Sequence, residues 1–304
     1  MTLKKSIISR LNRLPYIKTL YQENSNFKKN CCFPAGHYYS TIISVEDIHA
    51  RETEIWSKGQ TDGIAGIDLQ SQNQIQLAKE LSAYYDDLPF EADKKEGLRY
   101  YFRNGFYSYT DGIVLYSMIR HFRPKRIIEI GSGFSSAVML DTNQLFFDNQ
   151  IKLTFIEPYP DRLYSLINEN DRASTTIIES DVQSINLTHF EKLEAGDILF
   201  IDSTHVAKTG SDVNYILFEI LPALQSGVLI HFHDIFYPFE YPKEWVYEGK
   251  NWNEDYFLKA FLMYNQAFEI KLFSEYLHRH HSHAFAEMPL TTKNPGGNFW
   301  IQKK

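Results

Sequence analysis

From about residue 107 onward, short apolar runs alternate along the chain with stretches whose apolar positions recur at helical spacing. The runs at 126–130, 153–157, 175–179, 197–202 and 227–233 read as strands. Helical spacing falls between them at 111–122, from 135 to 140, at 161–167 and at 211–221. Continuous apolar strands separated by helices predict a parallel sheet covered on both faces, because neither face is left to water. Residues 268–273 and 299–302 are also strand-like, with no clean helical pattern between them, which predicts an antiparallel pair at the sheet edge. The first hundred residues are less regular. They give a basic amphipathic start over 1–21, a loop at 33–40, helices at 45–56 and 72–85, and an aromatic-rich stretch at 100–109. The expected division is an N-terminal helical and irregular extension and cap over 1–100, followed by an α/β domain over 101–304.

Composition narrows the class. Of 304 residues, 43% are hydrophobic and 23% charged, enough for a sizeable core. A net charge of -7 argues against nucleic acid as partner. The two cysteines, Cys31 and Cys32, are adjacent and have no metal-binding spacing, so a disulfide scaffold is not expected and a reducing cytoplasm fits. No apolar run is long enough to span a bilayer. The start carries Lys4, Lys5, Arg10, Arg13 and Lys18 among Ile7, Ile8, Leu11, Leu14 and Ile17. Two readings stay open there: a helix lying on anionic lipid, and a helix docked on its own protein. A homo-oligomer is equally open.

The first strand runs into Glu129-Ile130-Gly131-Ser132-Gly133. Its glycines allow a tight turn and close approach to a ligand. A nicotinamide dinucleotide fingerprint wants a third small residue where Ser136 stands in only partial match, and has no need of Glu129. Glu157 at the end of the second strand suits a ribose whose two hydroxyls a carboxylate accepts together. Glu129 would hold the loop or receive an ammonium group. Asp181 and Val182, after the third strand, would offer a partner for the adenine amino group and an apolar wall for its ring. This set favours S-adenosyl-L-methionine over a dinucleotide.

Glu129-Ile130-Gly131-Ser132-Gly133, Glu157 and Ser180-Asp181 resemble, in order, the motifs of class I S-adenosylmethionine-dependent methyltransferases. That resemblance implies a Rossmann-like, seven-stranded, mostly parallel sheet with helices on both faces and its last strand antiparallel. The segment Phe106-Tyr107-Ser108-Tyr109-Thr110-Asp111-Gly112 resembles the pre-motif of the catechol branch, which implies that Thr110 helps hold the cofactor carboxylate. An ordinary helix cap by Thr110 or Asp111 is the competing reading.

Two more strand ends carry candidate chemistry: Asp202-Ser203-Thr204-His205 after the fourth and His231-Phe232-His233-Asp234-Ile235 after the fifth. Asp202 and Asp234 would converge beside the cofactor, Asp202 touching it. Paired carboxylates suit Mg²⁺ or another divalent metal, and His205 has the proton affinity for a base near neutral pH. The arrangement resembles bacterial metal-dependent sugar and small-molecule O-methyltransferases. It implies Asp202 and Asp234 as metal ligands and His205 with Asp202 as the catalytic pair. Where several relatives have a second acidic or amide residue, Ile235 stands here, which leaves the shell incomplete, filled by His233, or absent. Against this, Asp202 could cap the next helix, and His231 and His233, sharing one face, could be core residues bonded to backbone. His278, His280, His281 and His283 read as a solvated surface segment. The expected activity is O-methylation of a glycan or small-molecule acceptor. The alternatives are a cofactor-binding module without catalysis and a nicotinamide-dependent oxidoreductase.

Overall fold

The computed structural model describes Leu11 and residues 14–304. The expected basic start falls outside the described residues at 1–10 and 12–13. Residues up to Ile55 with 243–251 form one compact unit, and residues 56–242 with 252–304 form a second.

The smaller unit opens with the helix Pro15–Asn30, which has Pro15 in its first turn and Lys28 and Lys29 in its last, and buries none of its residues. The helix expected over 45–56 is broken at Arg51 into Val45–Ala50 and Glu52–Trp56. Ser44 caps the first piece by accepting from the Asp47 N–H at 3.2 Å. Residues 243–251 join this unit through side chains: the Tyr247 hydroxyl donates to Glu52 at 2.7 Å, Lys243 donates to it at 3.0 Å, and the Tyr247 ring stacks on His49.

The larger unit is built on the expected sheet. β1 (Arg126–Ile130), β2 (Lys152–Ile156), β3 (Thr176–Ile178), β4 (Ile198–Ile201) and β5 (Leu229–Phe232) are parallel. β6 (Phe268–Phe273) is the edge strand, and β7 (Phe299–Lys303) lies between β5 and β6, antiparallel to both. The order is β3-β2-β1-β4-β5-β7-β6. β4 and β5 are buried at every residue, as their unbroken apolar character requires. The helix Thr110–Phe122 packs on Phe134–Phe146, and Ser71–Ser82 packs on β6 and on Thr110–Phe122.

Two stretches differ from expectation. The helix after β4 is capped by Ser211, runs as Asp212–Tyr215, and widens into a π turn at Ile216–Ile220. Pro222 follows and has no N–H to return to the Phe218 carbonyl, so the regular ladder cannot continue there. Between β6 and β7 a short helix, Ser274–His280, does form; it buries only Ser274, Tyr276 and Leu277, too few positions to set a period.

The aromatic stretch before the sheet divides in two. Tyr100, Phe102 and Tyr107 are buried, with Phe90, Tyr100 and Phe102 meeting edge to face, while Phe106 stays exposed.

Candidate active site

The strand order reverses between β1 and β4, where the carboxyl ends of a parallel sheet open a crevice. Gly131 leaves β1 at φ +81°, and a Cβ built there would lie 1.9 Å from the Asp202 carbonyl oxygen. Any side chain would collide with main chain, so glycine is required. The Asp202 N–H donates back to the Ile130 carbonyl at 2.8 Å, which closes the two strand ends on each other.

A cavity of about 350 Å³ opens at this point, within the size range of small-molecule sites. Gly131, Glu157, Asp181, Val182 and Asp202 line it together, joined by Lys208. A cavity of about 480 Å³ lies elsewhere, beside β6 between Gly66, Tyr264 and Lys304, and contains none of the residues singled out from the sequence. Glu157 is fixed by main chain: Oε2 accepts from the Ser132 N–H at 3.0 Å and Oε1 from the Tyr159 N–H at 2.8 Å. Its remaining lone pairs are available to a ligand.

Glu129, Gly133 and Thr110 stand outside that lining. Glu129 is fully buried and accepts from the Ser135 hydroxyl at 2.5 Å and from that of Ser136. Burial pushes its carboxyl up to about 8, although both serine bonds oppose the shift. Ser136 Oγ accepts from the Gly133 N–H at 3.0 Å, so Glu129 braces the glycine loop from beneath. The Thr110 hydroxyl lies 2.9 Å from the Thr291 carbonyl and also reaches that of Asn294. It provides no helix cap; Tyr109 holds that position without a side-chain bond. Asp111 accepts from the Gly297 N–H at 3.0 Å and from Asn298 at 2.9 Å, and burial raises its carboxyl to about 6.

The end of β4 carries the densest cluster of charge. His205 is buried, at φ +60°, and its carbonyl accepts from the N–H groups of Asn253 and Glu254 at 3.0 and 3.2 Å. Its Nδ1 lies 2.8 Å from Glu254 Oε2, with both side chains almost fully enclosed. The Ser203 hydroxyl donates to the Glu254 carboxylate at 3.0 Å. On the other side of the ring, Nε2 stands 3.5 Å from Asp202 Oδ1 and 3.9 Å from Asp234 Oδ2. The Trp252 ring packs over the imidazole at 4.3 Å between centroids. Burial alone would lower the His205 pKa, but the bonds with Asp202 and Glu254 outweigh it and hold it well above the usual value. For Asp202, burial acts upward and is overcome by His233 and His205, so the carboxyl sits below its usual value.

His231 and His233 do share one face, 6.1 Å apart between ring centroids. The expected backbone bonds are not made, because each nitrogen of His231 is enclosed by rings. Phe200 lies at 4.1 Å and Trp300 at 4.6 Å, and neither His231 nitrogen has a hydrogen-bond partner among the described residues. Burial, with His233 nearby, pushes the His231 imidazole well below its ordinary pKa. His233 Nε2 is 3.4 Å from Asp234 Oδ1, its own neighbour in sequence. Among the described residues no group of three or more His, Cys, Asp and Glu side chains is arranged to hold a metal ion. Asp202 and Asp234 both stand near Nε2 of His205, at 3.5 and 3.9 Å. Asp202 caps no helix; Asp212 holds the following turn through Thr204, by its N–H at 2.8 Å and its hydroxyl at 2.7 Å.

Glu254 is the residue that sequence reasoning missed. It lies 49 positions beyond His205, and no local motif marks it. His278, His280 and His281 are also less exposed than expected, while His283 is exposed. His278 stacks on Phe285, with burial lowering it to about 4, and His281 Nε2 is 2.9 Å from the Tyr276 hydroxyl.

Fold and cavity together define an α/β protein with a small-molecule site at the β1–β4 crossover. A family model described as a methyltransferase domain matches residues 128–235, from within β1 to just beyond β5. A relative from Archaeoglobus fulgidus, described only as an uncharacterized protein, is 34% identical over 167 residues, covering 53% of this chain and 74% of its own length. Among solved structures, the chain is similar to the SAH-bound methyltransferase PaMTH1 of Podospora anserina. The identity is 15% and the TM-score 0.42, over 87% of this chain and 99% of that one. The O-methyltransferase TomG of Streptomyces achromogenes, solved with SAM, is 13% identical with a TM-score of 0.41, over 76% of this chain and 89% of that one. Residues 128–235 thus form a methyltransferase domain.

Proposed function

We propose that this enzyme methylates a hydroxyl of a sugar, glycan or small metabolite, with His205 taking the hydroxyl proton. The observation that carries the proposal is the buried His205–Glu254 pair, whose Nε2 stands 3.5 Å from Asp202 on the cavity wall. Glu157 would accept the ribose hydroxyls of the cofactor, Asp181 its adenine amino group, and Val182 would pack on the adenine face. Glu129, Gly133 and Thr110 act behind this surface by shaping the loop and the helix start. When bound, S-adenosylmethionine supplies an electrophilic methyl group on a sulfonium.

Glu254 accepts the Nδ1 proton and so leaves Nε2 as the nitrogen that exchanges protons. Asp202 and Asp234 stabilise the imidazolium once the proton has arrived. Trp252 packs over the imidazole and helps screen it from water. None of these roles requires a metal.

The test is methyl transfer from labelled S-adenosylmethionine to a panel of sugars, glycans and small hydroxylated metabolites, with and without a chelator. A methyl ether product is expected, unchanged by the chelator and lost in His205→Ala while calorimetry still detects cofactor uptake. Methylation on nitrogen would overturn the hydroxyl assignment. Loss under chelation that Mg²⁺ restores would return Asp202 and Asp234 to metal ligation.

A further inference from the structure

The smaller unit carries a surface that methyl transfer does not use. On the helix Pro15–Asn30 a period of 3.6 residues places Tyr16, Ile17, Leu20, Tyr21 and Phe27 on one half, continuing from Leu14. Asn24 and Lys28 are the polar interruptions of that half, and Lys18, Thr19, Gln22, Glu23 and Lys29 occupy the other. Among the described residues nothing covers the apolar half: Tyr16 is 72% exposed and Tyr21 60%. Directly after the helix, Phe33, His37, Tyr38 and Tyr39 form a knot of rings, Phe33 on His37 at 4.8 Å and His37 on Tyr38 at 4.4 Å. Tyr38 is 82% exposed, so the knot faces water instead of a core.

Charge follows the same boundary. Residues 1–30 hold seven Lys and Arg against one Glu, whereas the rest of the chain holds 24 basic against 37 acidic residues. A chain that is acidic as a whole therefore concentrates positive charge on the segment bearing its exposed apolar face. Evenly solvated helices have no reason to combine the two. A bilayer boundary with anionic headgroups answers both, since hydrocarbon takes the apolar half and headgroups take the lysines and arginines. An acidic protein surface would match the charge alone and leave Tyr16, Leu20 and Phe27 without an apolar partner. Tyrosine and phenylalanine rings such as those of the knot settle at the headgroup level.

We propose that residues up to about 39 dock the enzyme on an anionic phospholipid surface, with the apolar half of Pro15–Asn30 inserted at the headgroup boundary. No helix among the described residues is long and apolar enough to cross a membrane, so the contact is peripheral. The docking does not depend on which acceptor is methylated.

Co-sedimentation of the full chain with lipid vesicles tests it. Binding is expected to phosphatidylcholine vesicles containing about one-third phosphatidylglycerol, to be absent with pure phosphatidylcholine, and to weaken with added salt. Changing Leu20→Glu and Phe27→Glu together should lower the partition coefficient about tenfold or more, with cofactor uptake and melting temperature unchanged. Failure to sediment with anionic vesicles at low salt would overturn the proposal. So would a double variant that sediments as well as the parent. A fall in melting temperature of that variant, without vesicle binding by the parent, would show instead that the helix covers its own chain. Lys18→Glu with Lys29→Glu, which leaves the apolar half intact, should also reduce binding to anionic vesicles, and an undiminished response would count against the charge contribution.

Discussion

Nδ1 of His205 lies 2.8 Å from Oε2 of Glu254, and the two side chains are 5% and 1% exposed. This contact turns Nε2 toward Asp202 and Asp234.

Removing the base should be costly for the chemical step and nearly silent for binding. His205→Ala is expected to lower kcat by about 100-fold or more, with cofactor affinity within a factor of about two. Glu254→Gln keeps an acceptor for Nδ1 but loses the charge, so its kcat should fall less than that of Glu254→Ala. Equal losses in both Glu254 variants, or parallel loss of cofactor affinity, would make Glu254 merely structural. Steady-state kinetics with calorimetry decides.

The rate should depend on pH through the same pair. Asp202 and Glu254 hold His205 above its ordinary pKa, so it keeps its extra proton to higher pH than a free imidazole does. It can accept a proton only after losing that one, so the acidic limb of kcat/KM should lie above pH 6.5 and move down in Glu254→Gln. The stability contribution has the matching sign: it is full below the unfolded pKa and is lost as pH rises through the folded one. A limb at or below pH 6.5 would contradict the pairing.

Cofactor affinity should rest on Glu157. Its carboxylate is already oriented by the Ser132 and Tyr159 N–H groups, so little is lost in ordering it. Glu157→Ala is expected to weaken binding of S-adenosylhomocysteine by about 2 kcal/mol, measured by calorimetry. Unchanged affinity would remove Glu157 from the ribose site.

Glu129 predicts a slope in stability. The unfolded carboxyl ionises near 4.5 and the folded one near 8. Between those values the folded state holds more protons, so stability falls as pH rises, by on the order of a few kcal/mol in total. Glu129→Gln should flatten that part of the curve and be the more stable form at pH 8 in thermal melts without cofactor. Parallel curves for both proteins would mean that Glu129 is ionised in the fold.

Much of the sheet was legible because strand burial leaves a strong trace. β1 and β6 have the predicted limits, and β2 to β5 differ by a residue or two at their ends. Such ends are set by individual hydrogen bonds that periodicity does not encode. The break at Arg51 and the π turn at Ile216–Ile220 depend on backbone geometry, and so escaped a reading based on side-chain spacing.

The sequence by itself determined the alternation of strands and helices, the glycine at 131, and which strand ends carry carboxylates. Local patterning and backbone sterics act within a few residues and can be read there. Only the tertiary structure decided that Glu254 reaches His205, that Asp202 and Asp234 meet at its nitrogen, and that Thr110 turns to Thr291 and Asn294. All but the Asp202–His205 contact join positions far apart in the chain, and their energies depend on enclosure from water, which exists only once the fold has closed.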